Sequence, residues 1–591
     1  MPSIPLLFGP MLIGVFFNMI LYGVLIVQVY NYYQMYKKDV SWIRYLVLYL
    51  FIVESANTAF DMFIVYEPLI LRYGDPDGTK YFPTLFATEP IVIVAVSFPI
   101  QLFFAWRINV LTKSIWIPSI IVLLATVSLA GGIWTGVMIA ILRLFAKKPE
   151  LHNPALVWFL SGCVADVLIT ATLVYTLSKR RTGFVATDDT ISKIMRMTVQ
   201  TGMLTAFFAV GDVIFFMTLP RTALNFLWDL ALSKLYSNCL LSTLNARASL
   251  NRKVTGSSDR PRISTANNQQ RQLDAFESSH ARRDIFLPSG MAGVQPLYGP
   301  MLIGVFFNMI LYGVLIVQMF SYYQTYGSKD AIRTKSLVLY LFLVETINTG
   351  LNMVMMYEPL IIRHGTEDAT KFFPLMLTSE PIMIVAISTP IQIFFARRIW
   401  KFSGSLWIPG AICMLAMCSL AGGIWTAVKT KNLRLFVMKP RLHTPALVWF
   451  VTAAAADILI TFSLALILYK RKTGHSTTDA LIGRIIAFTL QTGFLTALLA
   501  ISDVIFFLAL PRVTINFIWD LILTKIYANS LLSTLNARAE WNNQLEAQRN
   551  DLIFHDVQQS VGPRPVVSGN SFPHDIAPTN YESSFYVLEV P

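Results

Sequence analysis

The sequence has few charged residues and few cysteines for its length. Only 14% of the 591 residues are charged, and there are four cysteines. None of the cysteines recurs at the matching position of an internal repeat, which excludes a disulfide framework and a cysteine metal site; they are Cys163, Cys239, Cys413 and Cys418. The sequence also lacks a phosphate-binding glycine loop, a His-Glu-x-x-His segment and a nucleophile elbow. We therefore expect no enzyme, no cofactor and no metal site.

Apolar residues dominate instead. The chain is 55% hydrophobic and 13% aromatic, with a mean hydropathy of +0.56. Its apolar stretches approach the roughly 20 residues that a helix needs to cross a bilayer core. The net charge of +13 is spread over short loops beside these stretches, which indicates orientation signals rather than a nucleic-acid-binding surface. These features predict an all-α, multi-pass integral membrane protein whose main partner is the lipid bilayer, without indicating the plasma membrane or an endomembrane.

The chain contains a domain-sized repeat. The run from Gly9 to Gln28 recurs unchanged from Gly299 to Gln318. The repeat length of about 290 residues is far above that of a solenoid repeat. We call the two copies the first and the second unit. The boundaries predicted are 1–248 for the first unit, 249–298 for a disordered polar linker, 299–539 for the second unit and 540–591 for a disordered tail.

Each unit contains seven apolar stretches, so the fold class predicted is two tandem seven-helix transmembrane bundles with 14 spans. In the first unit the helices are expected near 10–35, 43–67, 87–111, 116–138, 155–178, 194–219 and 222–245. In the second they are expected near 300–325, 335–357, 378–401, 407–428, 446–470, 485–510 and 513–536.

Lys and Arg in the loops predict the orientation. The loops that follow helices 1, 3 and 5 carry ten Lys and Arg residues in the first unit, against six on the opposite side. In the second unit the numbers are ten and eight. Both counts favour an outside N-terminus. Seven helices end on the side opposite their start, so a linker without a span would force the second unit to insert upside down. Met291 precedes Gly299 by eight residues, as Met1 precedes Gly9. We interpret this as two neighbouring genes read as one frame, or as a recent fusion.

Ionisable and amide side chains inside the spans are the candidate functional residues, because such groups are costly in lipid and face the bundle interior. They recur in both units on helices 2, 5, 6 and 7. The set is Glu54, Asn57, Asp166, Asp212, Asp229 and Lys234, matched by Glu345, Asn348, Asp457, Asp503, Asp520 and Lys525. Two interpretations stay open: interhelical hydrogen bonds that hold the bundle, and a proton or ligand site.

The lysine in the middle of helix 7 needs an acidic partner or must lose its proton. Asp229 lies five residues before Lys234, about 140° round the helix, and is poorly placed. Glu54, Asp166 and Asp212 on neighbouring helices are the partners expected. A retinal Schiff base is disfavoured, since helix 3 has no acid-bearing motif for it.

The segments LSKLYSNCLLSTLNARA and LTKIYANSLLSTLNARA, which end the two units, carry a family resemblance together with the LIG-FFN-LYG opening and the AD-LIT segment of helix 5. The chain resembles a fungal seven-transmembrane family of unknown function, DUF 6534. The resemblance implies one such bundle per unit and no activity.

Three functions remain open. The leading one is a receptor or sensor, whose tails meet cytoplasmic partners. The first alternative is a transporter or channel using the intramembrane acids and the helix-7 lysine; the second is a structural or scaffolding protein.

Overall fold

The fold was analysed in a computed structural model, which describes residues 4–75, 78, 80–179, 185–219, 222–254, 293–470, 476–510 and 513–560. The first unit consists of α1 (Ile4–Met35), α2 (Ser41–Tyr66), α3 (Thr88–Thr112), α4 (Trp116–Leu142), α5 (His152–Lys179), α6 (Val185–Thr218) and α7 (Phe226–Val254). All seven predicted helices are present, with shifts of a few residues at most ends.

The second unit repeats this order, and a short helix is described in the loop after its second long helix. Its elements are α8 (Val294–Tyr326), α9 (Ile332–Tyr357), α10 (Glu367–Lys371), α11 (Glu380–Ser403), α12 (Trp407–Leu433), α13 (His443–Lys470), α14 (Ser476–Ala509) and α15 (Asn516–Ser560). No strand occurs in the described residues, and the predicted all-α membrane fold with two helical bundles is confirmed.

Helical structure extends beyond the predicted boundaries of the linker and the tail. Helix α7 continues to Val254 and α8 begins at Val294, so both ends of the 249–298 linker are helical; residues 255–292 lie outside the described part. Helix α15 continues to Ser560, inside the segment expected to be a disordered tail, and residues 561–591 lie outside the described part. The reason is composition: residues 540–560 contain Glu, Gln, Leu, Ala and Arg without Gly or Pro, and these residues favour helix.

Helix 2 of each unit ends in one π-helical turn, Glu67–Leu71 in the first and Glu358–Ile362 in the second. Pro68 has no backbone N–H to donate to the helix, so the ladder widens and the Arg72 N–H bonds to the carbonyl of Glu67 at 2.9 Å.

Ten helices of the described part are long and apolar enough to cross a membrane, five in each unit. They are helices 1 to 5 of each unit. Among the residues whose side chains are described, the sixth helices contribute the apolar stretches Gly202–Thr218 and Gly493–Ala509. Helices α7 and α15 are too polar to belong to the ten. The count is lower than the 14 spans predicted for two reasons: the last helices carry polar groups that lower their hydropathy, and most side chains in the first half of each sixth helix lie outside the described residues.

Helix α7 lies inside its bundle, in contact with α1, α2, α3 and α6. Almost every residue from Phe226 to Leu244 is buried, including the charged Asp229 and Lys234. Helix α4 is the opposite case, since Leu123 and Ile141 are more than 60% exposed on its outer face. Membrane helices bury polar groups toward the bundle and present apolar ones to lipid, so α7 is the polar centre around which each unit is built.

Candidate functional site

The lysine of helix 7 pairs with the glutamate of helix 2 at the centre of each bundle. The Lys234 Nζ lies 2.5 Å from a carboxylate oxygen of Glu54, and both side chains are fully buried. Lys525 and Glu345 form the same buried pair in the second unit. Of the three partners expected for the lysine, Glu54 is therefore the one that the fold supplies. Because both charges are enclosed, removing either one would leave the other uncompensated in the membrane interior.

Further polar groups surround the pair in the first unit. The Ser237 hydroxyl donates to the second oxygen of Glu54 at 2.6 Å. Asn57, one turn after Glu54, donates to Asp61 at 3.2 Å. The amide of Asn18 on α1 also donates to Asp61, at 2.8 Å. These bonds join α1, α2 and α7 into one buried network.

The second unit keeps the ion pair and loses part of this network. Asn352 occupies the position of Asp61, and Ala528 that of Ser237. As a result, one carboxylate oxygen of Glu345 is buried without a hydrogen-bond partner in the described part of the chain.

The helix-5 aspartate does not contact the lysine. Asp166 accepts a hydrogen bond from Gln101 on α3 at 2.9 Å and another from the Tyr236 hydroxyl. In the second unit Asp457 is bound in the same way by Gln392 and Tyr527. This site fastens α5 to α3 and to helix 7, a structural role that the sequence left open beside the functional one.

The helix-6 aspartate belongs to a different cluster, near the start of α7. Asp212 and Asp229 are buried and interact electrostatically with Lys148, which lies in the 3-10 helix before α5. The Lys148 Nζ donates to the Thr222 carbonyl at 2.7 Å and to Asn225 at 2.9 Å. The equivalent cluster of the second unit consists of Lys439, Asp503, Asn516 and Asp520.

Two members of the site were missed from the sequence. Lys148 lies between α4 and α5, where a charged side chain is normally exposed, yet it is 3% exposed. Glu89, in the first turn of α3, is 1% exposed. No donor group among the described residues forms a hydrogen bond with either of its carboxylate oxygens. The recurrence of both residues as Lys439 and Glu380 was the one signal available.

A small cavity lies between α3, α4, α5, α6 and α7. Glu89, Lys148 and Asp229 line it, together with aromatic side chains. The second unit contains a cavity whose lining positions are all equivalent to those of the first. Each has room for about one to three water molecules. The cavity sits at the end of the bundle where α1 begins, the outer end according to the loop charges.

Acidic groups connect the cavity with the central pair. Glu89 interacts electrostatically with Asp229 on the cavity side and with Asp61 on the other. Asp61 in turn interacts with both members of the Lys234 and Glu54 pair. In the second unit Glu380 interacts with Asp520 and with both members of the central pair, so each unit holds an electrostatic connection from its cavity to its centre.

The opposite end of each unit is closed by an arginine from the final-helix motif. The Arg247 guanidinium lies 2.6 Å from the Asp39 carboxylate in the loop between α1 and α2, and Tyr32 donates to the same carboxylate at 2.9 Å. Burial raises the pKa of Asp39, but the hydrogen bonds from Arg247, Tyr32 and the Val40 N–H outweigh it, so this pKa lies below its usual range. Arg538, Asp330 and Tyr322 repeat the arrangement.

A profile of the family of unknown function DUF6534 matches the chain twice. The family profile matches residues 162–249 and 453–540, which cover α5, α6 and α7 and their counterparts. The two matches agree with the tandem arrangement. No curated protein and no solved structure matches the chain.

Proposed function

We propose that each DUF6534 unit of this chain is a membrane sensor that receives a small ligand or ion in its outer cavity and transmits the event through the buried network to its inner end. The observation that carries the proposal is the cavity itself, which recurs in both units with Glu89, Lys148 and Asp229 or their equivalents facing it. Concave sites with a few polar groups among aromatic ones are the usual form of ligand pockets.

The connection from Glu89 through Asp61 to the central pair supports transmission rather than mere binding. A ligand that exchanges charge or hydrogen bonds with Glu89 changes the electrostatic field at Lys234. Because α7 carries Lys234 in its middle and Arg247 near its end, a shift of this helix would reach the inner closure with Asp39.

Access to the cavity is testable with thiol chemistry. In a background with all four native cysteines replaced by serine, Thr135→Cys places a thiol on the cavity wall. We expect a small water-soluble methanethiosulfonate reagent, added from outside, to modify this thiol. Leu123→Cys on the same helix is the matched control, because its side chain is 65% exposed on the lipid side. Equal labelling of the two, or labelling of Thr135→Cys only from the inside, would contradict an outward-facing cavity.

A transporter is the second candidate, and one observation favours it. The first unit buries more carboxyl groups than cationic groups along the path from Glu89 to Glu54. Chains of buried carboxyl groups can transfer protons. Proton flux into liposomes that carry the protein, abolished by Glu54→Gln, would replace the sensor by a transporter. We expect no flux, since the Glu54 and Lys234 pair closes the centre.

A further inference from the structure

Equivalent residues of the two units meet each other at several levels. The Phe16 and Phe306 rings are 6.2 Å apart, and they occupy the same position in α1 and α8. Tyr73 and His364, which follow the second helices, lie 4.3 Å apart between ring centroids. A position touches its own equivalent only on a twofold axis. The two units are therefore related by a pseudo-twofold axis.

Close helix contact in the middle of α1 shows how the two surfaces fit. A Cβ at Gly23 would lie 1.9 Å from the carbonyl oxygen of Ile310, and a Cβ at Gly313 would lie 2.0 Å from that of Ile20. These contacts are reciprocal. Small residues let membrane helices approach backbone to backbone, so glycine is required at both positions.

The axis runs along α1 and α8. Phe16 and Gly23 are seven residues apart, about 10 Å along a helix, and each meets its own counterpart in α8. Antiparallel helices would bring only one position into register with its equivalent. The helices are therefore parallel, and both units have the same orientation in the membrane, as the loop charges of each favour.

This orientation conflicts with insertion as one continuous chain. Seven helices bring Val254 to the side opposite the start of α1, whereas Val294 begins α8 on the same side as that start. The sequence between Val254 and Val294 is polar and contains no apolar run of about 20 residues with which to return.

We propose that the assembly is a parallel pair of two separately inserted seven-helix polypeptides, the second of which starts at Met291, and that the face formed by α1 and the end of α2 is the self-association surface of a unit. Apolar contact is supplemented by polar contacts at the outer rim. The Tyr73 hydroxyl donates to the carbonyls of Pro359 and Arg363 at 3.1 and 3.0 Å, and the Gly74 N–H donates to His364 Nε2 at 3.2 Å.

The first test counts polypeptides. The gene at its native locus receives one epitope tag at each end, and membranes are blotted for both tags. We expect two bands, each near half of 66.5 kDa, that purify together. We also expect Met291→Leu to remove the C-terminal product. A single full-length band overturns separate insertion, and a half-sized product that survives Met291→Leu overturns this start.

The second test reads the interface in the same membranes, on a background without the native cysteines. Phe16→Cys with Phe306→Cys should give an oxidative crosslink that joins the two half-sized products. Phe17→Cys with Phe307→Cys is the matched control, because both of these neighbouring side chains are 45% exposed. Equal crosslinking of the two pairs overturns the interface.

Orientation is checked with a membrane-impermeant maleimide. Lys38→Cys and Lys329→Cys place thiols in the loop after the first helix of each unit. We expect both to be labelled from the same side, and labelling from opposite sides overturns the parallel pair.

Discussion

The two units share a fold and differ in how completely their central ion pairs are satisfied. In the first, Glu54 accepts from Lys234 and from Ser237, and Asp61 lies close to the pair. In the second, Glu345 is bound by Lys525, while Ala528 and Asn352 remove the second donor and the extra acid. The difference separates what both units share, the Lys-Glu pair and its electrostatic link to the cavity glutamate, from what only the first unit has, Asp61 and Ser237 beside the pair.

The largest expected effect is common to both units. Lys234→Met should lower the free energy of unfolding of the first unit by about 3–5 kcal/mol, because it leaves Glu54 buried without a counter-charge. Lys525→Met should do the same in the second. The native cysteines make the readout specific to one unit, since Cys163 lies in α5 and Cys413 in α12. Thiol modification during thermal unfolding would follow each separately.

The matched control replaces the glutamate together with the lysine. Glu54→Gln combined with Lys234→Met should restore much of the loss, because residue 54 then no longer carries a charge that needs Lys234. An unchanged unfolding temperature for Lys234→Met alone would show that the pair does not stabilise the bundle.

Asp61 of the first unit corresponds to Asn352 of the second, and exchanging these residues should affect the two units unequally. Asn352→Asp should destabilise the second unit by about 3 kcal/mol, the usual cost of an aspartate at mid-membrane. Asn308 donates to the Leu521 carbonyl, as its counterpart Asn18 donates to the Leu230 carbonyl in addition to Asp61. Asp61→Asn should cost less than about 1 kcal/mol, because an amide oxygen can accept the same bonds. Equal effects, measured by the same two cysteines, would remove the distinction.

Hydropathy and charge predicted much of the fold, and local pattern explains why. The helices of both units begin and end near their expected positions, since apolar runs of about 20 residues are a local property. The last helix was the harder case, because the polar side chains that fill the bundle centre lower its hydropathy. Helices extend into the segments predicted as linker and tail, because a polar composition also suits a helix.

The candidate site was predicted only in part. The helix-7 lysine pointed to an acid on a neighbouring helix, but three candidates satisfied that condition, and only packing selects Glu54. Lys148 and Glu89 escaped notice because each lies beside a loop, where charge normally means exposure. Their burial depends on contacts with α6 and α7, about 60 to 140 residues away in the chain, which no local pattern encodes.

The serine beside the ion pair offers a reciprocal exchange. Ser237→Ala should destabilise the first unit by about 2 kcal/mol, because a hydrogen bond to a charged group is lost. Ala528→Ser should stabilise the second unit, where Glu345 has a free oxygen, by up to about 1 kcal/mol. Opposite signs in the two units, followed by Cys163 and Cys413, would confirm that this serine completes the pair. A loss in both would instead indicate that the second unit has no room for the hydroxyl.

The smallest expected effect concerns pH and the contact between the units. Burial lowers the pKa of His364 from its ordinary 6.5, and the bond of its Nδ1 to the Leu360 carbonyl opposes this only in part. Because the separated or unfolded state then binds the proton more readily, the contribution of His364 is complete above about pH 6.5 and is lost as the pH falls through the lowered value.

Protonation would also remove the acceptor for the Gly74 N–H. Tyr73, the ionisable ring that faces His364, has a raised pKa and does not titrate in this window. We expect dissociation of the two units in detergent to increase by a few-fold between pH 7 and pH 5 (about 1 kcal/mol or less). His364→Gln keeps an acceptor without a proton to gain, so it should flatten this profile. If the pH dependence survives in His364→Gln, another group causes it. The replacement of Tyr73 by His364 between the units would then have no effect on their association.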